Sequence, residues 1–399
     1  MRRSILCETT TRGGSSHLGR CRRDLLSRSV GAVGSIILVC AIASVVQQGV
    51  ASATPKSWSI ELPTSQGNPD QLNGVDCHTP TFCMAVGGYT NGGVSQNVSQ
   101  VWTGTKWVAL QTPDKGSGAN SLSAVSCSTP KFCMAVGHED AEYQNGLILT
   151  YNGLEWTVSS ILSRSVGDYS LTGVSCPTNK FCVAVGQLSD DAGTTPVIDV
   201  WNGSTWTFAS FSETLGSALT SVSCPTDSFC VAAGNITSTE YQEGFTETLK
   251  KGKWTESSTL SPPVEDVTLL GVSCVSSTSC RAVGNSESDA GVMSLIYVWN
   301  GKKWKQTSGN MSDAVLTSVS CPSSTKCVAA GYSEQTATHE NFVETLNGTP
   351  PTWTTTTTPD QGTGANELLG LSCRKAHCVA VGYYYDTSLP GNQELALVG

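Results

Sequence analysis

Leu171-Thr-Gly-Val-Ser-Cys-Pro-Thr-Asn-Lys-Phe-Cys-Val-Ala-Val-Gly186 decides how this chain is read, because six relatives of it recur at a nearly constant interval. Each copy carries two cysteines: Cys77 and Cys83, Cys127 and Cys133, Cys176 and Cys182, Cys224 and Cys230, Cys274 and Cys280, Cys321 and Cys327, and lastly Cys373 and Cys378. Successive first members lie 50, 49, 48, 50, 47 and 52 residues apart; six pairs are C-x5-C and the last is C-x4-C. A fixed period of this length marks a repeat architecture, in which each unit buries its apolar face against its neighbours.

Four strand candidates fill the third copy: Leu171 to Cys176, Phe181 to Val185, Pro196 to Trp201 and Thr205 to Ser210, with Asn202-Gly203 as a turn. β-Branched and aromatic residues make up the runs, and Gly, Asn, Ser and Pro punctuate them. Four short strands per repeat match a propeller blade and exceed one coil of a β-helix. Nineteen residues past the second cysteine stand Trp102, Trp201, Leu249, Trp299, Leu346 and Leu397, with Tyr151 at eighteen. Five residues further lies an outer-strand tryptophan, at Trp107, Trp156, Trp206, Trp254 and Trp304, with Trp353 displaced by an inserted pair. Its recurrence reads as an apolar plug at each blade edge rather than a ring of sugar-stacking platforms. Small residues (Gly74, Ala124, Gly173, Ser221, Gly271, Ser318, Gly370) precede the inner-strand Val or Leu, as strands crowded around a central axis require.

The two ends of the chain complete the reading. The last repeat supplies three strands and stops at Leu397-Val398-Gly399, while a fourth, Lys56-Ser57-Trp58-Ser59-Ile60, stands ahead of the first repeat. The expected fold is all-β: a seven-bladed β-propeller of four-stranded antiparallel blades, one disulfide within each, whose N-terminal strand closes the last blade. Closure removes the open sheet edge that invites aggregation.

The turn Asn202-Gly203-Ser204-Thr205-Trp206 resembles part of the Asp-box of sialidase-type (BNR) propellers. The aspartate that defines that box is replaced by Trp201, Tyr151 or Trp299, and neither WD-repeat nor kelch signatures are evident. The resemblance implies an arginine triad with a Tyr/Glu nucleophile pair. Beyond the leader the arginines are Arg164, Arg281 and Arg374, at unrelated repeat positions, so no converging triad is expected.

Composition sets the compartment. Residues 1–53 carry seven Arg against Glu8 and Asp24, whereas the remainder sets 16 Lys and Arg against 30 acids. Arg20, Arg22, Arg23 and Arg28 precede an apolar run from Val30 to Val46, and Ala51-Ser52-Ala53 follows. Together these make an export signal, Sec or twin-arginine, with cleavage after Ala53, or else an uncleaved anchor. Cys7, Cys21 and Cys40 belong to that leader. The fourteen others, paired in an exported chain, read as a disulfide framework rather than zinc ligands, since His78, His138, His339 and His377 share no repeat position. Each bridge is expected to join residues facing each other across a hairpin, with Cα atoms about 4.5–5.5 Å apart. The expected product is a single domain at 54–399, secreted or on the cell surface and monomeric, with no cofactor. An acidic body argues against nucleic acid as a partner, and membrane contact is expected only through an uncleaved leader.

No G-x-S-x-G, H-E-x-x-H or phosphate-binding loop is present. The candidate site is therefore positional: the residues following each second-strand glycine, His138, Gln187, Asn235, Asn285, Tyr332 and Tyr383, with Tyr384, read as first loop residues on the face bearing the inter-blade linkers. They suit a non-enzymatic module binding a glycan or a cell-surface protein. The alternative is a carbohydrate-active hydrolase or lyase using loop carboxylates such as Glu139-Asp140, Asp190-Asp191 or Glu265-Asp266; a structural scaffold is the third reading.

Overall fold

The computed structural model describes residues 57–399 apart from 66–69, 164–166, 210, 212–213, 238–240, 261–265, 336–337 and 349–350. The leader, its cleavage site and Arg164 fall outside the described residues. What is described forms seven four-stranded antiparallel sheets, with strands in sequence order in all but one. Blades one to six run Asp70–Leu110, Asn120–Leu162, Asp168–Phe208, Ser217–Leu260, Asp266–Ser312 and Ala314–Thr357. Blade seven takes Asn366–Val398 and adds Ser59–Ile60 as its outer strand.

That strand is short, pairing only Ser59 with Val398 and Ile60 with Leu397, and a polar clasp reinforces it. The Gln100 side chain of blade one donates to Thr64 O and to Glu394 Oε2 of blade seven, both at 2.8 Å. Asp70 accepts from Glu394 N at 3.2 Å and from Ser65 Oγ at 2.8 Å.

Around the axis the first strands meet backbone to backbone. A Cβ added at Gly173 would lie 3.2 Å from Ser221 Cα, one at Gly74 3.0 Å from Ala124 Cα, and one at Gly370 3.0 Å from Gly74 Cα across the closure. The small-residue rule read from the sequence is thus a steric requirement of a closed ring. A second glycine series, ending with Gly382, faces the register shift in each first strand; a Cβ there would sit 1.8–2.1 Å from a carbonyl oxygen of that strand.

All seven cysteine pairs are bridged within their own hairpins: Cys77 to Cys83, Cys127 to Cys133, Cys176 to Cys182, Cys224 to Cys230, Cys274 to Cys280, Cys321 to Cys327 and Cys373 to Cys378. The pairing agrees with the sequence reading, but the spacing corrects it. Cα atoms are 3.9–4.1 Å apart, closer than the ~4.5–5.5 Å of ordinary facing residues. The second cysteines are also more than staples. Cys83, Cys133, Cys182, Cys230, Cys280, Cys327 and Cys378 lie on second strands and are buried. Cys83, Cys133 and Cys230, for example, join the apolar packing beside Trp107, Trp156 and Trp254.

Beside the bridges runs a belt that the repeat pattern did not disclose. The residue before each first cysteine accepts a hydrogen bond from the first-cysteine N–H of the next blade. Ser126, Ser175, Ser223, Ser273, Ser320 and Ser372 do so through Oγ, at 2.9–3.1 Å. Asp76 takes the seventh place, accepting from Cys127 N at 2.6 Å. The belt encircles a central channel of about 250 Å³, lined by Ser and Thr hydroxyls, Asn73, Asp76 and the axial glycines together with first-strand Val and Leu residues.

The core lies in seven seams between blades rather than in one mass. Met84 and Val86 of blade one, for example, pack on Leu122, Val125 and Leu149 of blade two. The outer-strand tryptophans plug these seams: Trp107, Trp156, Trp254 and Trp304 are 4–9% exposed, while Trp58, Trp206 and Trp353 are half-buried. Four of the seven pack, with ring planes tilted by 44–54°, against the aromatic residue facing them, as Trp156 does against Tyr151 at 5.3 Å. In the turn between outer strands, Asn202 Oδ1 accepts from Ser204 N and Thr205 N, with Gly203 at φ +95°. This side-chain cap fixes the Asn-Gly-x-x-Trp geometry without the aspartate of an Asp-box.

Every blade therefore has two unlike ends. The disulfide hairpins and the Asn-Gly turns emerge together on what we call the disulfide face. The second-to-third-strand turns and the inter-blade linkers emerge on the opposite, loop face.

Candidate binding site on the loop face

The residues expected to open the loops are strand residues. Second strands continue past their glycines, to Asp140 in blade two, Asp190 in blade three and Tyr385 in blade seven. Polar residues there keep the backbone ladder, which side-chain patterning does not report. As strand residues they face the seam to the next blade, and the structure sorts them accordingly. The Asn235 side chain grips the next blade, accepting from Leu269 N at 2.8 Å and donating to Leu269 O at 3.2 Å, a structural staple. His138 is partly buried, and burial lowers its pKa. Gln187 and Asn285 lie half-buried opposite Pro196 and Ser294. Tyr384, one residue past Tyr383, turns the other way, into the seam with blade six, at 8% exposure.

Tyr332 and Tyr383, by contrast, are brought to one place. The Tyr332 ring stacks on His339, centroids 4.9 Å apart and planes at 14°. His339 Nδ1 lies 2.6 Å from Glu367 Oε1, within hydrogen-bond distance. Glu367, on the first strand of blade seven, faces Tyr383 across the ladder, beside its phenol. The loop carrying His339 is held in register by Asn366 N, which donates to His339 O at 2.9 Å. His339 and Glu367 remain 33% and 14% exposed, so the cluster can be reached from solvent.

Sequence reasoning found the two tyrosines and missed their partners. Glu367 occupies a first-strand position held in the other blades by Gln71, Ser121, Ser170, Ala218, Thr268 and Val315. The break in that series was the available signal.

Electrostatics define what the cluster can do. Burial, then the Glu367 and Glu334 charges, push the Tyr332 phenol up to about 12. Burial and then Glu367 raise Tyr383 further. Both phenols therefore stay protonated and act as donors, the opposite of an activated tyrosine nucleophile. The other loop-face acids mostly serve the scaffold. Asp114, Asp168, Asp266 and Asp360 each accept a third-strand backbone N–H, at 2.6–3.0 Å. Glu139 accepts from Asn145 Nδ2 and Asp140 from Gln144 Nε2; Asp190 caps Ala192 N. Glu265 lies outside the described residues. Of the arginines described, Arg281 donates to Cys280 O and Ser324 O, and Arg374 sits in the blade-seven hairpin; both lie toward the disulfide face.

No family model matches the chain, and no curated protein matches it in sequence. Solved structures do. A structure of YCF48 bound to D1 peptide superposes with TM-score 0.53 at 12% identity, covering 86% of this chain and 96% of that one. Kuenenia stuttgartiensis hydrazine synthase gives 0.54 at 10% identity, covering 87% and 98%. What is shared is the fold. At such identities it carries no residue roles from one protein to another.

Proposed function

We propose that this protein is an exported, non-catalytic recognition propeller whose loop face holds a polypeptide segment at the Tyr332, His339, Glu367 and Tyr383 cluster. One observation carries the reading: a part-exposed carboxylate is framed by two protonated phenols and an imidazole, an arrangement that accepts and donates hydrogen bonds but offers no activated nucleophile. A basic segment suits it best, since the cluster's part-exposed carboxylate is joined by Glu334, Glu340 and Asp386 on the same rim. The propeller seen with a bound peptide supports a protein partner over a glycan, and the seven bridges are compatible with an extracellular setting.

A synthetic peptide array graded in net charge tests this. The wild type should retain basic peptides, and Glu367→Gln should weaken retention about tenfold or more, the scale of a charged hydrogen bond. Tyr383→Phe should weaken it less. Charge-independent retention, or a Glu367→Gln variant that binds like the wild type, overturns the assignment. Release of reducing ends from a polysaccharide by the purified protein would instead establish the hydrolase.

A further inference from the structure

The net charge of the body conceals a separation by face. Of the fourteen described Lys and Arg residues, thirteen lie within three residues of a turn on the disulfide face; the exception is Lys115, in a loop-face linker. Each blade contributes at least one, in order Lys106, Lys131, Lys180, Lys253, Lys302, Lys326 and Lys375, and all seven are exposed. Acids as close to that end are Asp76, Glu155, Asp199, Asp227, Glu247, Glu256 and Glu344, of which only Glu155, Asp227 and Glu256 are exposed. Among the described residues none of the thirteen is ion-paired; the one contact of that length joins His339 to Glu367 on the other face.

The acids congregate at the loop face, and distance keeps the two faces apart. Second strands such as Phe82–Asn91 are ten residues long and span about 30 Å at ~3.3 Å per residue. The Debye length near 0.15 M salt is only about 8 Å. A body approaching the disulfide face therefore meets a cationic disc, whatever the sum over the molecule.

We propose that this disc docks on a lipid bilayer bearing anionic headgroups, leaving the acidic loop face turned to solvent. Two features favour a planar surface over a flexible polyanion. The cations are distributed around the whole ring instead of lining a groove, so only a plane meets them all together. On the same face Leu154, at the tip of the outer turn of blade two, is 88% exposed, the most exposed large apolar side chain among the described residues. Such a tip can enter the headgroup layer, where burial of its surface adds to the lysine attraction.

Co-sedimentation with vesicles of phosphatidylglycerol in phosphatidylcholine, against phosphatidylcholine alone, tests the proposal on the exported protein. Binding should need the anionic lipid and fall steeply with added salt. Lys253→Glu should weaken it about fivefold or more, and the triple exchange at Lys253, Lys302 and Lys326 on the order of a hundredfold. Lys115→Glu, an identical charge change on the loop face, should leave it unaltered. Leu154→Ser should cost about tenfold on vesicles and nothing on soluble dextran sulfate. The proposal fails if zwitterionic vesicles bind equally well, or if Lys115→Glu and Lys253→Glu behave alike. It also fails if dextran sulfate competes fully while Leu154→Ser has no effect, or if the protein stacks on its own copies and ignores vesicles.

Discussion

Glu394 supplies the sharpest thermodynamic test, because it ties ring closure to proton uptake. Its carboxyl is 3% exposed, with Oε2 held by Gln100 Nε2 and Oε1 without a hydrogen-bond partner. Burial, reinforced by the Asp70 charge, raises its pKa from the ordinary 4.5 to about 8. Folding therefore takes up a proton between those values, so this group's contribution is full below pH 4.5 and is lost as pH rises through 8. At ~1.4 kcal/mol per pH unit the span is at most about 5 kcal/mol, and less where water enters the seam. Glu394→Gln keeps an oxygen for Gln100 and removes the ionisation. Urea unfolding at fixed temperature, from about pH 5 to 9, should show the wild type losing stability with pH and the variant losing several kcal/mol less. At about pH 8 the variant should be the more stable protein. A variant whose stability falls as steeply as the wild type across that range would refute the reasoning.

Further outcomes follow from other residues. Glu247, 1% exposed and raised to about 7 by burial and then by facing Glu256, contributes with the same sign as Glu394. Glu247→Gln should therefore flatten the same titration, at lower pH. Ser175→Ala strips the acceptor from Cys224 N and should cost about 1–3 kcal/mol by chemical denaturation. Asp76→Ser completes the hydroxyl belt and removes a carboxylate whose pKa burial has raised above 3.8, so its advantage over the wild type should grow as pH rises from 3.8 through that raised value and then level off. Replacing both Cys176 and Cys182 by Ala opens a short loop, worth about 2 kcal/mol in the chain-entropy account. Trp156→Ala empties a seam filled by a side chain 4% exposed and should cost about 3–5 kcal/mol.

The features legible in the sequence are those that repeat. Cysteine spacing, the outer tryptophan and the small axial residue recur because each blade meets the same steric problem; seven statements of one constraint are hard to misread. Even the closing strand is visible, as a tryptophan stranded before the first repeat that packs against Gly399. The belt is in plain view as a residue pair, Ser or Asp before Cys, yet unreadable as a contact, because its partner lies one blade away. Loop starts read from patterning fall too early for a related reason: Gln187, Leu188 and Ser189 carry no alternating pattern but still pair in register with Pro196, Thr195 and Thr194. Backbone hydrogen bonding continues where side-chain patterning stops.

The same logic indicates where function resides in a repeat protein. A position that obeys the repeat is explained by the ring; Ser126 or Gly173 would hold its place whatever the protein binds. A position that departs from the repeat must be explained by something else. Asp76 interrupts a serine belt, yet its two hydrogen bonds, from Cys127 N and Ser372 Oγ, return it to structural duty. Glu394 interrupts too, and belongs to the closure, which happens only once. Glu367 has neither excuse. No other blade needs a carboxylate there, the backbone register is satisfied without it, and it draws in a histidine from the neighbouring blade and a tyrosine from its own. A charge is costly in a buried scaffold, so a carboxylate at a part-exposed rim that no other blade carries is what a partner-binding position requires.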